Sequence, residues 1–439
     1  MSANRLLSWG NHPPFPQTPH ACPWRDALPQ ALDALLRTHG STLPFGNGRS
    51  YGDSCLAMSD QVLHLRALDR FIDADWATGI LVAEAGVTLD EILALAIPRG
   101  WFLSVTPGTQ FITLGGAIAN DVHGKNHHVR GTFGCHVRRF GLLRSQEGRQ
   151  TCSPEDHPDL FAATIGGLGL TGIIDWAEIQ LLPIRSSQID SIVARFETLA
   201  DFFTISAELD RQHEYGVAWI DCAAQGQTTG RGVYLAGDFA PDGALEVAAN
   251  ARLNVPLMPP VSLINGLSLR AFNAAYWRKH PRDRQPRRSG YAPFFYPLDG
   301  IRQWNRIYGP KGFQQYQCLI PVTQAQPAIH ALLSAIAASG TGSFLAVLKR
   351  CGEIASPGLL SFPAPGTTLA LDFPQSNRLG TTLFPRLDAI VREAGGRLYP
   401  AKDAHMRGED FRRGYPAWEQ LEALRDPALC SRFWTRVTT

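Results

Sequence analysis

Residues 44–53 read PFGNGRSYGD, three glycines (Gly46, Gly48 and Gly52) among small polar residues. Glycine in such a stretch lets the main chain take positive φ and lie close against a ligand. Bare backbone N–H groups suit a phosphate. Yet no Lys-Ser/Thr follows, and the spacing is not G-x-G-x-x-G between a strand and a helix. A second glycine-rich stretch, PGTQFITLGGAIANDVHGKNHH at 107–128, adds Gly108, Gly115, Gly116 and Gly124. Two separated loops beside strand-like sequence can present N–H groups to a pyrophosphate; taken alone they leave dinucleotide binding and ordinary turns both open. GGLGLTG at 166–172 also lacks Rossmann spacing, which argues against a nucleotide held on a Rossmann sheet.

The chain around these loops has 439 residues, enough for two domains. Its 44% apolar and 18% charged content is that of a globular protein, and a net charge of +2 gives no reason to expect nucleic acid. Eight cysteines are scattered without a C-x-x-C pair, a usage expected of reduced thiols in a cytoplasm. The segment MSANRLLSWGNHPP has no apolar core of signal-peptide length, and no apolar run approaches a membrane span. The expected location is cytoplasmic, with peripheral contact at the inner membrane.

Apolar spacing predicts helices over 27–39, 88–97 (stopped by Pro98), 199–212, 326–338 and 382–394. Strand-like runs fall at 61–65, 79–85, 172–182, 315–321, 343–348 and 368–373. The expectation is an α+β protein with domains at 1–186 and 187–397. The tail 398–439 is too small to fold alone and should pack back on the first domain. Segment 278–288, RKHPRDRQPRR, carries six Lys and Arg against one acid, with aromatic residues on both sides. It reads as a solvated loop or as a basic lid facing lipid headgroups, where each cation contributes about 1 kcal/mol.

GRSYGD, followed by PGT-x-x-x-T-x-GGAIA-x-D-x-HGKNHH, resembles the vanillyl-alcohol oxidase superfamily of flavoproteins. Within it, the chain is similar to the oxidases of polyprenylphosphoryl-β-D-ribose over nearly its whole length. The shared stretches include HVRRFGLL at 136–143, SFLAVLKRCG at 343–352, DFP at 372–374 and GGRLYPAKDAH at 395–405. The resemblance implies a two-domain PCMH-type FAD-binding fold with an antiparallel-sheet substrate domain. By motif it implies FAD contacts at Gly46, Asn47, Gly48, Arg49, Ser50, Tyr51, Gly52, Asp53, Gly108, Thr113, Leu114, Gly115, Gly116, Asn120, Asp121, Val122 and His123. Ile174 and Tyr399 should lie against the flavin or adenine. Many superfamily members bond flavin to a histidine where this chain has Arg49, whose guanidinium stays protonated. Non-covalent FAD is therefore expected. His123, His127 and His128 do not predict a metal site, because Gly124 argues against the helix their spacing would need.

Alcohol oxidation requires a group to take the hydroxyl proton and a fixed charge near the reduced flavin, and a buried lysine can serve either need. The expected catalytic residues are Lys402 and His123. Tyr51, Trp219, Tyr308, Gln317, Lys349 and Lys402 should line the substrate pocket. The chain has Ala370 where actinobacterial members carry a cysteine, so the oxidation would not rest on a thiol there. The resemblance implies oxidation of the C2 hydroxyl of a lipid-linked phosphosugar, as the flavin half of a 2-epimerase. A separate NAD(P)H-dependent short-chain reductase would complete that epimerisation to the arabinose donor. The alternative is an oxidase of free sugars, alditols or aldonolactones using oxygen.

Overall fold

The computed structural model describes residues 5–249 and 253–439. Helix Leu28–His39 buries Leu28, Leu32 and Leu35 at i, i+4 and i+7, and ends at Gly40, whose φ is 77°. Helix Leu89–Ala96 opens with a capping box: the Glu91 carboxylate accepts from the Thr88 N–H at 2.8 Å. Pro98 cannot continue this helix, which tightens into a 3-10 turn, Ile97–Arg99, before the strand Trp101–Leu103.

Two antiparallel sheets organise the chain. One holds Phe71–Asp75, Ile80–Glu84, Ile173–Pro183, Val137–Arg144 and Gly148–Cys152 in that order, with Trp101–Leu103 also paired to Ile173–Pro183. Beside it lies a small parallel sheet of Thr18–Ala21, Gln61–His64 and Leu43–Phe45. The last of these three strands delivers the chain into the first glycine-rich loop. The second sheet is eight-stranded. It runs from Gln285–Gly290 through Gln188–Phe196, Gly232–Phe239, Tyr215–Ile220, Ala346–Cys351, Gly366–Pro374 and Phe313–Pro321 to Arg397–Leu398. This is an α+β architecture built on two antiparallel sheets, the arrangement that the resemblance implies.

The apolar core does not stop at the expected domain limits. One buried cluster joins Phe45 and Leu170 to Leu348 and Leu371 of the large sheet and to Phe411 and Trp434 of the tail. Another joins Phe140 and Ile179 to Phe294, Phe295 and Tyr296. The tail ends in helix Arg432–Thr438, where Arg436 reaches the Asp53 carboxylate at 2.8 Å and Asp403 at 2.8 Å. The tail thereby ties the first glycine-rich loop to the turn that carries Lys402.

The basic segment is not a free loop. Arg278 and Lys279 close helix Gly266–Lys279, and 285–290 is the edge strand of the large sheet. Arg284 pairs with Glu208, while Arg288 pairs with Asp190 at 2.6 Å and with Asp242 at 2.8 Å.

Candidate active site

A cavity of about 680 Å³ runs between the two sheets, and both glycine-rich loops line it. Its volume is within the range typical of cofactor and ligand sites. Of the expected FAD contacts, Gly46, Asn47, Gly48, Arg49, Ser50, Tyr51, Gly108, Thr113, Gly115, Gly116, Asn120, Val122, His123, Ile174 and Tyr399 form its wall. Gly46 is where the two loops meet: a Cβ there would lie 2.4 Å from the Thr113 hydroxyl oxygen. The Asn47 amide donates to the Phe111 carbonyl at 2.7 Å, a second tie between the loops.

Four expected contacts stand off the wall. Gly52 lets the loop pass so close to the next segment that a Cβ would sit 1.6 Å from the Asp403 carbonyl oxygen. Asp53 is buried against Arg436. Leu114 is core. The Asp121 carboxylate turns away to accept from Ser356, Ser361 and the Gly134 N–H.

The residues expected to line the substrate pocket show a clearer geometry. Alternate side chains of the large sheet face the cavity, as a pleated strand requires. Gln315 and Gln317 stand beside Ala370 and Thr368, then Lys349 and Val347, then Trp219 and Val217, then Val233, Leu235 and Val193. Polar groups crowd one end of this floor and apolar groups the other. Tyr308 is not on it. Its ring stacks on Phe313 at 4.2 Å and it is buried there with Ile264, behind Tyr51.

At the polar end, the Lys402 ammonium lies 3.9 Å from the centroid of the Tyr51 ring. Lys402 is half-buried and faces the cavity. Burial lowers its pKa to about 8, with the buried Asp372 carboxylate pulling the other way. Burial also raises Asp372 to about 7, opposed by a hydrogen bond from the Gln315 amide at 2.7 Å and by Lys402. Lys349, lowered by burial to about 8, donates to the Gly124 carbonyl. Burial and the neighbouring Lys349 lower Lys125 to about 7. Three lysines on one cavity therefore hold charges that burial disfavours, an arrangement an anion would relieve.

His123 is kept neutral by burial, and by Lys349, His127 and Lys402 around it. Its Nε2 receives the Gln317 amide at 3.2 Å, which assigns the ring proton to Nδ1, where no protein partner stands. The ring lies 5.5 Å from both Phe362 and Tyr399, and the Tyr399 hydroxyl donates to the Asn120 carbonyl at 3.0 Å. His127 accepts from the Gly352 N–H and His128 contacts the His213 carbonyl, so the three histidines serve different neighbours.

Arg49 sits over Trp9, its guanidinium carbon 4.0 Å from the ring centroid, with Nε unpartnered. Cys55 also borders the cavity, where burial pushes its thiol up to about 12. These residues fit FAD: a bare-backbone cradle at Gly46 and unpaired donors on Arg49 and His123.

Lys125, Gln315 and Asp372 were missed in the sequence. Lys125 lies inside HGKNHH. Gln315 and Asp372 are two residues from Gln317 and Ala370, so strand alternation was the signal that could have found them.

An FAD binding domain model matches residues 25–153. Decaprenylphosphoryl-β-D-ribose oxidase of Mycolicibacterium smegmatis is 34% identical over 444 aligned residues, covering 97% of this chain and 95% of that protein. Cytokinin dehydrogenase 8 of rice is 27% identical over 44% of this chain and 40% of that protein. Human Δ(24)-sterol reductase is 26% identical over 33% and 27%. With a cavity built to hold FAD and near-complete alignment to one relative, this chain belongs to the decaprenylphosphoryl-β-D-ribose oxidase family of PCMH-type flavoproteins and is an FAD-dependent oxidoreductase acting on CH–OH groups.

Proposed function

We propose that this protein oxidises the C2 hydroxyl of a polyprenylphosphoryl-β-D-ribose to the 2-keto sugar. In this reading a separate NAD(P)H-dependent short-chain reductase then returns the hydride to the opposite face, giving the arabinose epimer. The observation that carries the proposal is the polar-to-apolar floor of the cavity. Gln317, Lys349 and Lys402 offer hydrogen bonds and charge to a phosphorylated sugar. Val217, Trp219 and Val233 then offer a lane for an isoprenoid chain. A free alditol would leave that lane without an occupant.

FAD, when bound, supplies the acceptor for the hydride that leaves the carbinol carbon. The protein's part is to orient the sugar and move the proton. Lys402, with a pKa of about 8, is neutral in roughly a tenth of molecules at pH 7 and can take the hydroxyl proton. Gln317, held by His123 and by the Thr368 hydroxyl at 3.3 Å, fixes one edge of the sugar site. The protonated lysines give the phosphate an electrostatic partner. FAD is held without a covalent bond in this proposal, since Arg49 offers no nucleophile and the Cys55 thiol stays protonated.

The test is product analysis. Polyprenylphosphoryl ribose incubated with the protein should yield a product lighter by two hydrogens, which borodeuteride labels at C2. Labelling at another carbon, or an unchanged substrate beside oxidised free pentose, would set the proposal aside.

A further inference from the structure

Helix Gly266–Lys279 has three faces with different surroundings. Leu269, Asn273 and Trp277 are buried at i, i+4 and i+8. Phe272 and Tyr276 line the cavity, as does His280 just beyond the helix. The remaining sector carries Leu267, Ala271 and Ala275 into solvent, flanked by Arg270 and Arg278. Leu267 is 81% exposed. An isolated exposed leucine needs no explanation, but this one continues a run. The chain leading into the helix exposes Leu257 at 79%, Val261 at 67% and Leu263 at 55%. That strap is fixed by backbone contacts: the Leu263 N–H donates to the Ile307 carbonyl and the Arg306 guanidinium to Val255 and Pro256. Apolar side chains are thus held out in water by an anchored backbone.

The cations next to this ribbon differ from their neighbours. Arg284 and Arg288 are paired with carboxylates. Arg270, Arg278, Lys279 and Arg282 are exposed, and no carboxylate pairs with them among the described residues. Position matters as much as charge. The apolar lane of the cavity crosses the sheet toward Val193, and Arg287 on the next, outermost strand also lines the cavity. An acyl or isoprenoid chain lying in the lane points toward the edge where exposed apolar groups and unpaired cations meet.

We propose that the exposed ribbon 257–271, with Arg270, Arg278, Lys279 and Arg282, is a docking face for an anionic phospholipid bilayer, set at the rim of the cavity. The apolar side chains enter the headgroup boundary and the cations meet lipid phosphates. The face takes its purpose from the lipid-linked substrate proposed above: the sugar head reaches Lys402 while the lipid chain stays in the membrane.

The test uses the full-length, FAD-loaded protein sedimented with vesicles. It should pellet with vesicles containing phosphatidylglycerol, stay in solution with pure phosphatidylcholine, and be released by added salt. The triple variant Arg278→Gln/Lys279→Gln/Arg282→Gln should partition about a hundredfold more weakly, roughly fivefold for each charge. The double variant Leu257→Asp/Leu267→Asp should also lose binding. Retained yellow flavin shows that these variants are folded. Wild-type protein remaining in solution with both vesicle types would overturn the proposal, and so would variants that pellet like the wild type. If Leu267→Asp instead turned a dimer into a monomer while vesicle binding persisted, the face would be an interface between copies and the proposal would fall. Failure here is separate from failure of the substrate reading, because flavin reduction by a soluble short-prenyl substrate does not require docking.

Discussion

The Lys402 ammonium nitrogen stands 3.9 Å from the centre of the Tyr51 ring, joining the C-terminal turn to the first glycine-rich loop at the polar end of the cavity. Such cation–π contacts favour the charged form of the lysine, while burial favours the neutral one. Burial, opposed by the Asp372 carboxylate, leaves Lys402 at about 8. Lys402→Met should lower the rate of flavin reduction by at least about a hundredfold, the scale of a lost general base. Stopped-flow reduction with the FAD content matched to wild type measures it.

That loss alone does not separate a base from a fixed charge, but pH does. If neutral Lys402 takes the proton, the rate of flavin reduction rises with pH through about 8. Ionised Asp372 raises the Lys402 pKa, so Asp372→Asn should move this limb to lower pH. A rate that instead falls as pH rises through the same range would assign Lys402 to charge stabilisation.

Gly46 tests the cradle. Gly46→Ala drives a methyl against the Thr113 side chain, at 2.4 Å from its hydroxyl oxygen, and should weaken FAD binding about tenfold or more. Thr113→Ala in the same chain removes the obstructing atoms and should recover part of that loss. Fluorescence titration of the apoprotein with FAD reads both.

Much of this frame was legible in the sequence. Pro98 stops its helix as the sequence predicts, the last turn tightening over Ile97–Arg99. The motif residues Gly46, Thr113, His123 and Lys402 come to one cavity, in loops whose glycines let the backbone approach closely or whose proline fixes φ. What was not legible is register. Asp372 and Gln315 become partners only when strand Phe313–Pro321 pairs with Gly366–Pro374, and no local pattern fixes that alignment. Tyr308, expected at the pocket from the resemblance, instead stacks on Phe313 in the core. The basic segment was opaque too, since its role as an edge strand depends on Gln188–Phe196, far away in sequence.

The Arg436 bridge predicts a stability effect. Burial would raise Asp403, but Arg436 and His405 outweigh it and hold the carboxyl below its ordinary value. A depressed carboxylate adds stability above its unfolded pKa, lost as pH falls through the folded value. Arg436→Gln strands Asp53 and Asp403 and should destabilise the protein by ~3 kcal/mol near neutral pH. In urea unfolding, the gap to wild type should close as acid protonates Asp403.

The apolar lane predicts chain-length discrimination. Val217→Asp puts a carboxylate on it, and KM for a long-chain polyprenyl substrate should rise about tenfold or more, the scale of one misplaced polar group. A substrate with a single isoprene unit should respond far less. Steady-state kinetics across a series of chain lengths gives the comparison.

The most direct measurement is anaerobic mixing of the FAD-loaded protein with polyprenylphosphoryl ribose and, separately, with free pentoses and alditols, following flavin absorbance. The account predicts rapid bleaching by the lipid-linked sugar alone. Equal bleaching by free sugars, or none by the lipid-linked one, would contradict it.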